Sequence, residues 1–290
     1  MKRWISGISA CILIFIFTAC ASRSEQPNIV ATTMPVYTFT KALCDGTYLS
    51  VEQLIQENVS CLHDYTMTIK HMKMLENADL LVISGGGLED FLSDALPNGT
   101  PLVDASAGIE LEHRESTHHE HDHHHEEDPH YWLSIDSARQ MATNICNGLK
   151  NAYPELSNQF EANMDKLNQT FDELNTYALE QLSQIQHREL ITFHDGFSYM
   201  AESFDLTILK AIEEESGSEA SARDLITICD LVTEHALPAI FIERNGSSNA
   251  AKIIHAETGV NIYSLDMAIS GQDYFAAMRY NIDTLKEALE

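Results

Sequence analysis

From residue 154 to residue 187 the chain carries no glycine and no proline after Pro154. Its apolar residues fall at steps of three and four: Leu156, Phe160, Met164, Leu167, Phe171, Leu174, Ala178, Leu182 and Ile185. That spacing predicts one amphipathic helix of roughly 30 residues, about 45 Å long. Its Phe and Met stripe reads as core packing, not as a cofactor box. A helix of this length exceeds the common range in globular domains. It is therefore expected to run down one side of the molecule and join two halves.

On both sides of it, short apolar runs alternate with helical patterns. Strands are expected at 28–32, 50–55, 79–84 and 101–104, with helices at 35–43, 67–75 and 88–96 between them. Beyond the long helix, strands are expected at 189–193, 206–212, 238–243 and 260–265, with helices at 199–203, 221–235 and 250–257 and a last helix from 272. Pro35 suits a first-turn position, Ser221 to Asp224 resembles a capping box, and Gly259 ends its helix. Strands and helices in alternation imply βαβ units and mostly parallel sheets. The fold class is α/β: two Rossmann-like lobes, 28–153 and 188–290, joined by a rigid helix at 154–187 with a cleft between them. Gly85, Gly86 and Gly87 lack the GxGxxG spacing and a following Lys-Ser/Thr, so they read as a tight strand-to-helix turn and not a phosphate loop.

The N-terminus sets the compartment. Lys2 and Arg3 precede an apolar run to Phe17 that is shorter than a spanning helix, so residues 1–19 read as a signal peptide. Ala19-Cys20 resembles a bacterial lipobox, which makes Cys20 the expected lipidated residue and 20–27 a tether. The localisation expected is extracytoplasmic, anchored to the bacterial cell membrane. Loss of residues 1–19 leaves 271 of the 290 residues and takes the formal charge from −27 to −29. So acidic a body excludes nucleic acid and bare anionic membrane surfaces as partners, and it suits a protein that attracts cations.

Beyond Cys20, the cysteines are Cys44, Cys61, Cys146 and Cys229. None forms a C-x-x-C pair, which argues against a thiolate zinc knuckle. Cys44 and Cys61 are the nearest pair for a disulfide in an exported chain.

Three short motifs place a histidine after a strand or in a loop: His63-Asp64-Tyr65, Asp128-Pro129-His130-Tyr131-Trp132 and His194-Asp195-Gly196-Phe197. In parallel α/β sheets ligands bind at the carboxyl ends of strands, so His63 and His194 are placed to meet across the cleft. Pro129 stiffens the approach to His130, and Asp266 follows the last strand. Three imidazoles and one carboxylate make a closed tetrahedral set for Zn²⁺. Asp64, Asp128 and Asp195 adjoin the three histidines and either accept their second ring N–H or cap turns. His71, His187, His235 and His255 fall on or beside helices and read as structural or solvated.

Taken in order, 29–37 (IVATTMPVY), His63-Asp64-Tyr65, 77–80 (NADL), 85–89 (GGGLE), a histidine-rich loop, 128–132 (DPHYW), 193–195 (FHD) and 264–266 (SLD) resemble the zinc/manganese solute-binding proteins of bacterial ABC importers. The resemblance covers nearly all of 28–289. It implies two α/β lobes held by one rigid helix, with metal buried between them and the ligand positions falling on His63, His130, His194 and Asp266. It further implies an importer permease and its ATPase as partners, a monomeric chain and no enzymatic turnover. Manganese-binding relatives tend to carry a carboxylate where this chain has His194. Imidazole favours zinc and oxygen ligands favour manganese, so Zn²⁺ is the expected cargo. Residues 60–65 (SCLHDY) depart from the usual first ligand loop, and Cys61 could place a sulfur there.

Residues 113–132 hold eight of the fourteen histidines. His119-Glu120 with His123 satisfies H-E-x-x-H, but a zinc hydrolase needs that motif on a helix with an apolar back face. Residues 113–127 contain no aliphatic or aromatic side chain beyond the histidines, so the match is one of composition. His118, His119, His121, His123, His124 and His125 are expected to bind extra zinc weakly, as an accessory or as a solvated spacer. A manganese-binding homologue, a zinc buffer or metallochaperone, and an adhesin are the other readings.

Overall fold

The computed structural model describes residues 26–59, 62, 65–92, 99–113, 127–213, 220–271 and 273–290. Outside the described residues lie the signal segment, Cys20, His63 with Cys61 and Asp64, and the histidines between 114 and 126.

The first lobe is built on β1 (Asn28–Ala31), β2 (Ser50–Gln53), β3 (Leu80–Ile83) and β4 (Leu102–Asp104), with α1 (Met34–Leu43) and α2 (Ile69–Glu76) between strands. The four strands pair in the order β2-β1-β3-β4, all parallel. Helix α3 (Ile135–Ala152) follows, and then α4 (Ser157–Leu182). The second lobe holds β5 (Glu189–His194), α5 (Ser198–Ser203), β6 (Thr207–Glu213), α6 (Ala222–Glu234), β7 (Ala239–Glu243), α7 (Asn249–Thr258), β8 (Asn261–Leu265) and α8 (Tyr274–Leu289). Its strands pair as β6-β5-β7-β8, again all parallel. The two sheets thus share one winding order. In each, the chain reverses direction across the sheet beside its first strand, opening a crevice at the strands' carboxyl ends.

Buried β-branched and leucine side chains explain the central strands: Ile29, Val30, Leu81 and Val82 are solvent-free, as are Leu190, Ile191, Ile240 and Phe241. The expected caps form. Ser221 and Asp224 make a reciprocal capping box on α6, and Gly259 closes α7 in the left-handed conformation at φ 78°.

The long helix is shorter than its apolar pattern suggests. A 3₁₀ turn at Pro154–Leu156 precedes it, and α4 runs 26 residues, about 39 Å at 1.5 Å per residue. Ile185 lies beyond its end, where Gln186 and His187 donate their N–H groups to the Leu289 carbonyl. Phe160, Leu167, Phe171, Leu174, Ala178 and Leu182 form its buried face. This face ties the halves together through aromatic rings. Phe39 of α1 meets Phe171 of α4 at 5.4 Å and Tyr274 of α8 at 5.0 Å, while Phe171 meets Phe275 at 5.1 Å. Edge-to-face rings at such spacing add to the area they bury.

Two further departures concern the first lobe. Helix α3 is an element the sequence patterns do not announce. Where a helix is expected at 88–96, the described part is a turn and a 3₁₀ segment, Asp90–Leu92. The reason lies in the triple glycine: all three residues have positive φ, and a Cβ on Gly85 would sit 2.0 Å from Asp104 Oδ1. The turn is held by Glu89, which accepts hydrogen bonds from Thr32 Oγ1 and from the N–H groups of Ser84 and Gly85. Cys44, Cys146 and Cys229 are free thiols, and Cys61, the expected partner of Cys44, lies outside the described residues. Burial pushes the Cys44 thiol up to about 12. No helix among the described residues is long and apolar enough to cross a membrane.

Candidate metal centre

Strand β5 ends on His194, and the loop after β4 returns to the lobe seam at His130. Their rings lie 5.1 Å apart, centroid to centroid, and nearly perpendicular at 88°. Both histidines are buried, His130 at 1% and His194 at 5% exposure. The structure thus brings together one predicted histidine from each lobe.

Each imidazole is backed by a buried carboxylate. Asp128 Oδ1 lies 2.8 Å from His130 Nδ1 and also accepts the His130 backbone N–H at 2.9 Å. Asp128 is in turn held from the second lobe: Ser198 Oγ donates to its Oδ2 at 3.2 Å, and Tyr199 Oη donates to its carbonyl at 2.9 Å. On the other side, His194 Nδ1 lies 3.0 Å from Glu243 Oε1. A carboxylate on Nδ1 draws the ring proton there and puts the lone pair on Nε2, the nitrogen that then serves a metal.

Glu243 is the residue sequence reasoning missed, while for Asp195 the sequence left two readings open, ring acceptor or turn cap. Asp195 Oδ1 stands 4.0 Å from His194 Nε2, beyond hydrogen-bond reach. The chain turns into a 3₁₀ segment, Asp195–Phe197, directly after His194, so consecutive side chains leave in different directions. Glu243 is placed by sheet register. Thr192 aligns with Phe241 across β5 and β7, so residues two further along, His194 and Glu243, share one face at the carboxyl ends. These two strands flank the reversal point of the second sheet.

Asp266 follows β8, as expected, and is committed to other partners. Its Oδ1 accepts the Ala268 N–H at 2.9 Å, and its Oδ2 pairs with Arg244 Nη1 at 3.2 Å. Glu243, Arg244, Asn245, Asp266, Met267 and Val59 line a narrow crevice at the lobe seam. Among the described residues, no three His, Cys, Asp or Glu side chains gather as a metal cluster. They contribute the pair His130 and His194, and the expected His63 and the loop histidines lie outside the described residues.

The seam around the pair is tightly built. Trp132 Nε1 donates to the Met267 carbonyl at 2.9 Å, Tyr274 Oη donates to the Trp132 carbonyl at 2.7 Å, and Met34 N–H donates to the Ile269 carbonyl at 3.0 Å. Gly196 leaves room for His130: a Cβ there would stand 2.7 Å from His130 Nδ1 and 2.8 Å from Met267 Cε. The histidine tract is rooted at the same place. His113 and Glu127 form an isolated antiparallel bridge, the Asp128 N–H donates to the Glu112 carbonyl at 2.8 Å, and the Glu112 N–H donates to Tyr199 Oη at 2.7 Å.

Two wound lobes spanned by one helix, with imidazoles facing each other across the seam, are the build of a two-lobed solute-binding protein. The profile of one such family, zinc-uptake complex component A, periplasmic (ZnuA), matches residues 29–288, and the chain belongs to that family. It is 30% identical to the zinc-binding protein AdcA of Streptococcus pyogenes serotype M6 over 99% of its own length and 61% of that protein's. It is 27% identical to the zinc-binding lipoprotein AdcA of Streptococcus pneumoniae strain R6, over 100% of this chain and 62% of that one. The chain thus spans less than two thirds of the length of these curated relatives. A crystal structure of ZnuA superposes with a TM-score of 0.82 at 25% identity, covering 92% of this chain and 100% of the other.

Proposed function

We propose that this chain is the extracytoplasmic component of an ABC importer that captures Zn²⁺ at the lobe seam and passes it to a membrane permease and its ATPase. His63, His130, His194 and Asp266 are the ligands, and the lipid on Cys20 tethers the chain, a monomer, to the cell membrane. The observation that carries this reading is the His130–His194 pair, one ring from each lobe, each with Nδ1 on a buried carboxylate.

The chemistry follows from that pairing. A carboxylate on the far nitrogen orients the ring and raises the basicity of Nε2 toward the cation. Imidazole suits borderline Zn²⁺ better than the hard Mn²⁺ ion. Binding requires neutral rings, so it releases protons and weakens as pH falls. Because the two rings belong to different lobes, a small relative displacement of the lobes separates them, which supplies a route for release to the permease. The cargo ion exchanges its water ligands for protein ones and undergoes no other chemistry, so the protein works by binding and release.

The histidines at 118, 119, 121, 123, 124 and 125 collect zinc weakly beside this site. Support comes from the stem of their tract, which is hydrogen-bonded to the Asp128 backbone that carries His130. Titration calorimetry with Zn²⁺ tests the central site. His194→Ala is expected to lose most of the tight binding, and undiminished affinity would contradict the assignment.

A further inference from the structure

Asp266 is a candidate ligand whose carboxylate already holds a cation. Arg244 Nη1 lies 3.2 Å from Asp266 Oδ2. Arg244 is itself fixed at both ends: its backbone N–H donates to the Leu265 carbonyl at 2.8 Å, and its guanidinium lies over the Tyr280 ring at 4.6 Å. The Tyr280 hydroxyl is anchored in turn, 2.8 Å from Ser264 Oγ. The residue before Arg244 is Glu243, whose carboxylate backs His194. Both residues line the seam crevice with Asp266. A guanidinium therefore stands where an incoming divalent cation would have to recruit its oxygen ligand.

We propose that Arg244 is a specificity-determining residue that competes with the cargo cation for the Asp266 carboxylate. The proposal rests on the zinc-site reading above and deepens it. While Arg244 holds Asp266, the donors offered to an entering ion are imidazoles, which suit Zn²⁺; Mn²⁺ depends more on oxygen donors and meets a carboxylate already neutralised. Like-charge repulsion between guanidinium and metal acts in the same direction for both ions. The carboxylate term therefore discriminates, penalising manganese more than zinc. The aromatic platform under Arg244 makes the competitor a preorganised one, since a cation over a ring face is attracted there independently of Asp266.

The test uses the full chain, with Zn²⁺ and Mn²⁺ affinities measured by competition against a metal-sensitive chelating dye. Arg244 is half exposed, so Arg244→Gln is expected to fold, with circular dichroism as the check. Arg244→Gln is expected to tighten Mn²⁺ binding about threefold to fivefold, the range of a partly exposed ion pair, and Zn²⁺ binding by less. In an Asp266→Asn background the same Arg244→Gln change is expected to leave the zinc-to-manganese ratio where it was. His194→Ala is measured alongside to separate the two claims. If His194→Ala loses zinc while Arg244→Gln leaves the ratio unchanged or weakens Mn²⁺ binding, the role of Arg244 is overturned and the site stands. If His194→Ala keeps full affinity, the site falls and the proposal with it.

Discussion

His194 and Glu243 end neighbouring parallel strands of the second sheet and meet through Nδ1 and Oε1 at 3.0 Å. Neither residue is close to the other in sequence, and the contact exists because β5 and β7 are adjacent in the winding order. If this carboxylate orients the imidazole, its removal has a defined cost. Glu243→Ala is expected to weaken Zn²⁺ binding about tenfold or more. Glu243→Gln retains an acceptor for the ring N–H and is expected to recover much of that loss. Equal loss in both variants, measured by chelator competition, would mean that charge and not orientation is what Glu243 supplies.

The closeness of Gly196 to His130 gives a steric prediction. Gly196→Ala places a methyl group 2.7 Å from His130 Nδ1 and 2.8 Å from Met267 Cε. Either the ring leaves Asp128 or the lobes part slightly. Unfolding midpoints are expected to show a loss of about 1–3 kcal/mol, the usual cost of overpacking, together with weaker zinc binding.

Glu89 gives the pH dependence of the first lobe. Burial pushes its carboxyl up to about 7 from the usual 4.5, against the opposing pull of the hydrogen bonds from Thr32, Ser84 and Gly85. A folded-state value above the unfolded one means that the native state binds the proton more tightly. The stabilising contribution is then fully present below about pH 4.5 and is lost as pH rises through about 7. Glu89→Gln removes this titration. The stability of the natural chain relative to the variant is expected to be greater at pH 5 than at pH 8, by an amount on the order of 3 kcal/mol for a full shift, read from urea unfolding.

Deleting residues 114–126 separates the tract from the seam. Calorimetry is expected to show the weak zinc sites gone and one tight site kept, because His130 stays anchored by Asp128, Ser198 and Tyr199. Loss of the tight site as well would place the tract inside the central site.

Much of this was legible in the residues. Alternation of apolar runs with helical patterns specified two parallel α/β lobes, and the Phe160 to Leu182 stripe specified the helix between them. The seam position of His194 follows from its place at the end of β5, and that of His130 from the Asp128-Pro129 turn before it. Glu243 was not legible, since its relation to His194 depends on strand order, which periodicity does not encode. The long helix was overdrawn because an apolar step pattern continues through Pro154–Leu156 and on to Ile185, where the backbone is no longer α-helical. In the described part of the helix expected at 88–96, residues 88–92, the three preceding positive-φ glycines and the Glu89 hydrogen bonds favour turns.

The most direct test of the central claim is anomalous diffraction at the zinc absorption edge from crystals of the zinc-loaded chain. The account predicts one strong peak at the lobe seam, about 2.0–2.1 Å from Nε2 of both His130 and His194. A strong peak confined to the histidine tract, with none between these two rings, would contradict it.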